Sequence, residues 1–155
     1  MSENKGVATI MAAREMKVSE REVLKAIPDE AFETSASHFE EIMKEMTEWG
    51  EMTIIVTNGS VIFEVKSSVP KGSFGRGFYN LHEKGNCVGG HLMAESFDSI
   101  FFVDRPFMGQ ESLSIQIYDK DGNASIKFYL GRDENRKIKQ EQKEKFLELR
   151  KRFMQ

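Results

Sequence analysis

The chain has 155 residues, 39% of them hydrophobic, which suits one compact domain with a real core. A formal net charge of -3, from 22 basic and 25 acidic residues, excludes a global electrostatic footprint for nucleic acid or anionic lipid. The lone Cys87 excludes an internal disulfide and a multi-cysteine metal site and suits a reducing compartment; with no apolar run near the ~18 residues of a membrane span and no signal-peptide core in MSENKGVATI, the expected location is cytoplasmic.

In chain order, Val7, Ile10, Met11, Met16, Val18, Val23, Leu24 and Ile27 recur at helical spacing up to Pro28, predicting two short helices joined near Val18-Ser19. Ser19 followed by Glu22 has the spacing of a capping box for the second helix. Phe39, Ile42, Met43 and Met46 predict a third helix over 38–46, ended by Gly50. The period then falls to two. EMTIIVT and SVIFEVK flank Asn58-Gly59, a pair that accepts the positive φ of a type I′ hairpin turn. Further strands are expected over 74–82, 88–95, 99–103, 113–119 and 124–130, the last two joined by Lys120-Asp121-Gly122-Asn123. A final helix over 138–153 sets Ile138, Phe146, Leu149 and Phe153 on one side. Seven strands with tight turns and helices at both ends imply an α+β fold built on a large antiparallel meander. The expected organisation is a single domain over 1–155, with a helical N-terminal part (1–47), the sheet (48–132) and the C-terminal helix (133–155).

AAREMKVSEREVLKAI also has the spacing of a DNA-binding helix-turn-helix, with Ser19 opening the recognition helix. Lys5, Arg14, Lys17, Arg21 and Lys25 are outweighed there by Glu3, Glu15, Glu20, Glu22, Asp29 and Glu30, two of them inside that helix, where they repel phosphates. A helical pair packed on the sheet, with no nucleic-acid partner, is the expectation. The Lys/Arg face of the last helix reads as solvated, or as a docking surface for an acidic protein. No nucleophile elbow, Walker loop or HExxH occurs, and GRGFYN lacks the third glycine of a dinucleotide motif, so no catalytic residue is nominated.

The segment NCVGGHLMAE places His91 behind two glycines in a strand-like stretch. Glycine inside a strand packs nothing, and it marks a bulge or the close approach of a ligand or another backbone. If Glu83-Lys84-Gly85-Asn86 is a four-residue loop, Phe78 falls opposite His91, Tyr79 opposite Gly90, Asn80 opposite Gly89 and Arg76 opposite Met93. One face then carries Tyr79, Leu81, Val88, Leu92 and Ala94, which is core material. The other carries Arg76, Phe78, Asn80, His82, Cys87, Gly89, His91 and Met93. An aromatic wall, bare backbone, a cation and a mid-strand imidazole suit a flat, partly apolar, anionic ligand that contains a metal. Haem is such a ligand, asking for an imidazole or phenolate, apolar contacts and a cation for its propionates. A structural histidine is the other reading of His91. A one-residue slip would instead bring Tyr79 to the ligand face, and Cys87 is a weaker thiolate candidate.

EWGEMT, VIFEV, Val69-Pro70-Lys71-Gly72, RGFYNL, GGHLMAE, RPFMGQES and KFYLGRDENR, in this order and spacing, resemble the cytosolic haem-utilisation carriers of the ChuX/HutX (HuvX) family, relatives of the tandem-repeat HemS/ChuS haem proteins. The resemblance runs from Glu48 to the C-terminal helix. It implies an α+β homodimer that matches the two halves of the tandem protein, haem (heme b) as cargo, and delivery to a haem-degrading partner without enzymatic activity. A haem-degrading enzyme of related fold is the alternative. His91 stands where relatives have a histidine after glycine, which implies iron ligation, with Tyr79 as its rival. Arg76, Phe78, Gly89, Gly90 and Met93 complete the implied haem-binding set. Thr57 stands where some relatives carry a second histidine, and Phe78 where some carry the first phenol of a pair.

Overall fold

The computed structural model describes residues 8–155; Glu3, Lys5 and Val7, used in the sequence arguments, lie outside that range. Helices α1 (Thr9–Met16) and α2 (Glu20–Lys25) lead into strand β1 (Ala31–Ser35), a short 3-10 turn and α3 (Phe39–Met46). A hairpin of β2 (Glu51–Thr57) and β3 (Ile62–Ser68) follows, then β4 (Gly72–Gly75), β5 (Phe78–Leu81) and β6 (Gly90–Leu92). Strands β7 (Phe97–Asp104), β8 (Leu113–Asp119) and β9 (Ala124–Tyr129) precede the closing helix α4 (Gln140–Met154). The large antiparallel sheet has the order β1-β7-β8-β9-β2-β3, and β4-β5-β6 form a small separate one.

Alternation sorts the large sheet into two faces. Met52, Ile54, Ile100, Phe102, Ile115, Ile117, Ile126 and Phe128 point to one side, where α3 brings Phe39, Ile42, Met43 and Met46 and α4 brings Phe146 and Leu149. The small sheet joins this core through Tyr79. On the other side Leu24 and Ile27 pack against Ala31, Phe101, Val103 and Tyr118.

The fold is α+β with a large antiparallel sheet, as the sequence pattern implies, but the described residues form nine strands in two sheets rather than seven in one meander. The helical N-terminal part expected over 1–47 also contains β1, between its second and third helices, whose Phe32 lies opposite Phe102 at the sheet edge. Five residues with adjacent Ala31 and Phe32 show too little alternation to announce a strand. The strand expected over 74–82 is broken at Arg76-Gly77, where φ values of 54° and 84° make a two-residue turn between the paired Gly75 and Phe78. At Asn58-Gly59 only the glycine has positive φ, and the loop is Asn58 to Val61 because Thr57 pairs with Ile62. The Asn58 Oδ1 accepts from the Ser60 and Val61 amides, each at 3.0 Å, which holds this longer turn.

Ser19 caps α2 by accepting from the Glu22 amide at 3.2 Å. The helix that a DNA reader would expose is tied down instead. Glu20, buried, accepts from Thr9 Oγ1 at 2.6 Å and from the buried Lys127 ammonium of β9. Arg21 meets Asp98 at 2.6 Å and donates to the Asp119 carbonyl.

At the opposite end of the core, Gln142 of α4 joins three backbone groups. Its Nε2 donates to the Trp49 and Glu51 carbonyls at 2.9 and 2.8 Å, and its Oε1 accepts from the Gly131 amide at 2.6 Å. A Cβ at Gly131 would stand 2.3 Å from the Glu51 oxygen, so only glycine fits that crossing. Gln142→Leu leaves buried backbone groups without partners and is expected to lower the unfolding free energy by roughly 1–3 kcal/mol in chemical denaturation. An unchanged midpoint would contradict the role of this side chain.

Candidate functional site

The hairpin that carries His91 differs in register from the sequence expectation. Tyr79 lies opposite Leu92, Asn80 opposite His91 and Leu81 opposite Gly90, so His91 faces Asn80 rather than Phe78. The turn at Glu83-Lys84-Gly85-Asn86 does form, with the Asn86 amide donating to the Glu83 carbonyl at 3.1 Å. The residues beside it do not pair across the hairpin, because they are held by other strands. Asn86 Nδ2 donates to the Ser68 carbonyl at 3.2 Å, its Oδ1 accepts from Ser67 Oγ and the Val88 amide, and the His82 amide donates to Lys71. The displacement is two residues. An even shift preserves faces, so Tyr79, Leu81, Val88, Leu92 and Ala94 still pack inward.

The outward face gathers Phe78, Asn80, His82, His91 and Met93. His91 is exposed, with Nδ1 2.6 Å from Asn80 Oδ1 and its ring centroid 5.7 Å from that of Phe78. Asn80 Nδ2 donates in turn to the Gly75 carbonyl at 3.1 Å. Phe78 and Met93 are exposed apolar side chains. A Cβ at Gly90 would meet nothing within 4 Å, and one at Gly89 only the Leu81 carbonyl at 3.7 Å, so the backbone before His91 is bare and approachable. His82 Nε2 lies 2.8 Å from Ser73 Oγ. Arg76 is not in a strand opposite Met93 as expected but at the exposed turn tip, and Cys87 is exposed in the loop before β6.

Tyr79 lies on the inward side. Its ring is edge-on to Phe39 and Phe74 at 5.1 and 5.0 Å, and its buried hydroxyl has no hydrogen-bond partner among the described residues. Burial, helped by the Glu40 carboxylate, pushes its pKa up and disfavours phenolate. The one-residue slip that would have turned it outward is not adopted.

A groove of about 590 Å³ occupies the other side of the large sheet, and the sequence reading did not find it. Its floor is the face opposite the core: Thr53, Ile55 and Thr57 of β2, Ile62, Glu64 and Lys66 of β3, Gln116, and Lys127 and Tyr129 of β9. The signal was present in the alternation of polar with apolar residues along β2 and β3. Among the described residues its lining has no histidine or cysteine, and burial together with the Glu20 charge raises the Tyr129 phenol to about 12. Thr57 lies in this groove, so one chain does not bring it together with His91. Among the described residues, no group of three or more His, Cys, Asp or Glu could hold a metal ion, and no helix is long and apolar enough to cross a membrane.

Fold and site define an α+β protein whose small second sheet presents an imidazole beside apolar side chains and bare backbone. A family model described as haem utilisation ChuX/HutX matches residues 33–149, and the chain belongs to that family. It is 38% identical over 135 residues to the intracellular heme transport protein HutX of Vibrio cholerae serotype O1, covering 86% of this chain and 70% of that one. The structure of the heme binding protein ChuX superposes with a TM-score of 0.91 at 28% identity, over 99% of this chain and 96% of that one. The heme degrading enzyme ChuS of Escherichia coli O157:H7 shares the fold at a TM-score of 0.73 and 17% identity, over 88% of this chain but 41% of that larger one.

All three tyrosines, Tyr79, Tyr118 and Tyr129, have phenols pushed up, chiefly by burial. In the unfolded chain they ionise near pH ~10. The native state then holds more protons than the unfolded state, so stability falls as pH rises past that point. Ultraviolet titration is expected to show phenolate only as near-ultraviolet circular dichroism is lost. Phenolate absorbance from the folded chain near pH ~10 would contradict this.

Proposed function

We propose that this protein binds haem on the outer face of its small sheet and carries it, without turnover, to a haem-degrading partner. The observation that carries the reading is His91, exposed beside Phe78 and the bare Gly89-Gly90 backbone, with no partner for its Nε2 among the described residues. One imidazole suits an iron whose equatorial positions a porphyrin already fills. Phe78 and Met93 supply apolar contact, Gly89 and Gly90 allow close approach, and Arg76 offers a guanidinium for a propionate. The relatives HutX, a heme transport protein, and ChuX, a heme binding protein, support the same cargo. The groove offers area for a flat ligand but, among the described residues, no imidazole, and its Tyr129 phenol is held protonated, which favours the His91 face. A cytoplasmic location belongs to this reading: it is supported by the relative HutX being an intracellular heme transport protein, and it suits the exposed thiol of Cys87.

In a hemin titration, His91→Ala is expected to change the absorption spectrum and weaken binding at least about tenfold, since loss of even an outer-shell partner costs that much. Tyr79→Phe should change neither. The reverse pattern would move the iron ligand to Tyr79. Aerobic incubation of the loaded protein with an electron donor should yield no linear tetrapyrrole; its appearance would establish the haem-degrading alternative.

The protein also acts, in this reading, as a homodimer. The edge strand β3 leaves Ile62 59% and Phe63 63% exposed on opposite faces, with Val61 and Val56 exposed beside them. A two-fold partner would cover this apolar hairpin end and its open edge. Light scattering should give a dimer mass for the wild type and a monomer for Phe63→Glu. A monomeric wild type would contradict the assembly.

A further inference from the structure

We infer that Asn80 is a positioning residue that holds His91 in one tautomer and so keeps Nε2 as the ring's outward electron-pair donor. The inference rests on the haem reading of this face, and its first half is a property of the protein alone.

A backbone carbonyl sets the direction of the bonds. Gly75 O ends β4 at the Arg76-Gly77 turn, and it can only accept. Asn80 therefore directs its amide nitrogen there, at 3.1 Å, and this orients the rest of the side chain. Its Oδ1 consequently faces His91 Nδ1, 2.6 Å away. An amide oxygen cannot donate, so the hydrogen in that bond belongs to Nδ1. A neutral imidazole has one N–H, and with that on Nδ1 the lone pair lies on Nε2. Carbonyl, amide and imidazole form a one-way relay: an amide flip would set two acceptors face to face at Gly75, and that lost bond keeps Oδ1 toward Nδ1.

The same relay holds the ring in place. His91 and Asn80 are a directly opposed cross-strand pair, and their bond spans the sheet where side chains stand closest. An exposed histidine without such a partner would share its population between tautomers and rotamers. Only the Nδ1–H form offers Nε2 to a metal, and an acceptor on Nδ1–H raises the basicity of the other nitrogen. Sequence reading placed Asn80 on this face but opposite Gly89, so the relation was invisible there.

The test has two readouts. Long-range proton–nitrogen correlation on the haem-free protein, at a pH where the ring is neutral, should report Nδ1–H for His91 in the wild type and in Asn80→Asp, which keeps the acceptor. Asn80→Leu should shift His91 toward Nε2–H. Hemin titration should then show a loss of about tenfold or more in affinity for Asn80→Leu, with Asn80→Asp staying near wild type. A wild-type His91 in the Nε2–H form, or a tautomer unmoved by Asn80→Leu, overturns the role of Asn80 while leaving the ligand assignment standing. Wild-type hemin affinity in His91→Ala overturns the ligand assignment itself and the presenting role with it. Circular dichroism of each variant shows whether the fold is intact, and the Asp variant separates loss of the acceptor from loss of packing.

Discussion

The orientation of the site depends on Tyr79 packed beneath Gly72 and edge-on to Phe39 and Phe74. A Cβ at Gly72 would stand 2.8 Å from Tyr79 Cε2 and 2.7 Å from the Asn80 carbonyl, so β4 reaches this position only without a side chain there. Edge-to-face contacts contribute about 0.5–1.5 kcal/mol each beyond burial of the ring. The contacts of Tyr79 and Phe74 with Phe39 hold the small sheet to the core, although the buried Tyr79 hydroxyl gains no bond. With Tyr79 committed inward, strand alternation turns Phe78 and Asn80 outward, and cross-strand pairing turns His91 the same way.

This packing separates two surfaces with different chemistry. The small sheet offers an exposed imidazole with little enclosure, whereas the groove across the large sheet offers enclosure without an imidazole. Thr57 lines the groove, so a histidine at that position would enter the groove rather than approach His91 within one subunit.

Buried polar groups locate the helices that border these surfaces. Glu20 and Lys127 join α2 to β9, and Gln142 joins α4 to the backbone on either side of Gly50 and at Gly131. A buried ion pair contributes little net stability against apolar replacements, but losing one partner leaves an uncompensated charge. Its value here is placement: α2 packs on β1, β7 and β8, α1 packs on α2 and borders the groove at Thr9 and Ile10, and the β9-β2-β3 half remains open as the groove.

The family, the α+β class, the Ser19 cap and the inward and outward sets on β5 and β6 were legible in the residues themselves. Helix caps and strand alternation are local, so Tyr79 could be assigned to the core and His91 to the opposite face even with the wrong partner across the hairpin. Tertiary structure decided what local pattern does not encode. The two-residue turn at Arg76-Gly77 was hidden inside an apparently continuous strand, and β1 became a strand by pairing with β7, some seventy residues on. His91 met Asn80 because Asn86 is held by Ser67 and Ser68, and His82 by Lys71, which lengthened the loop before the ladder could begin. Register follows the bonds available to a loop, and here those bonds come from strands distant in sequence.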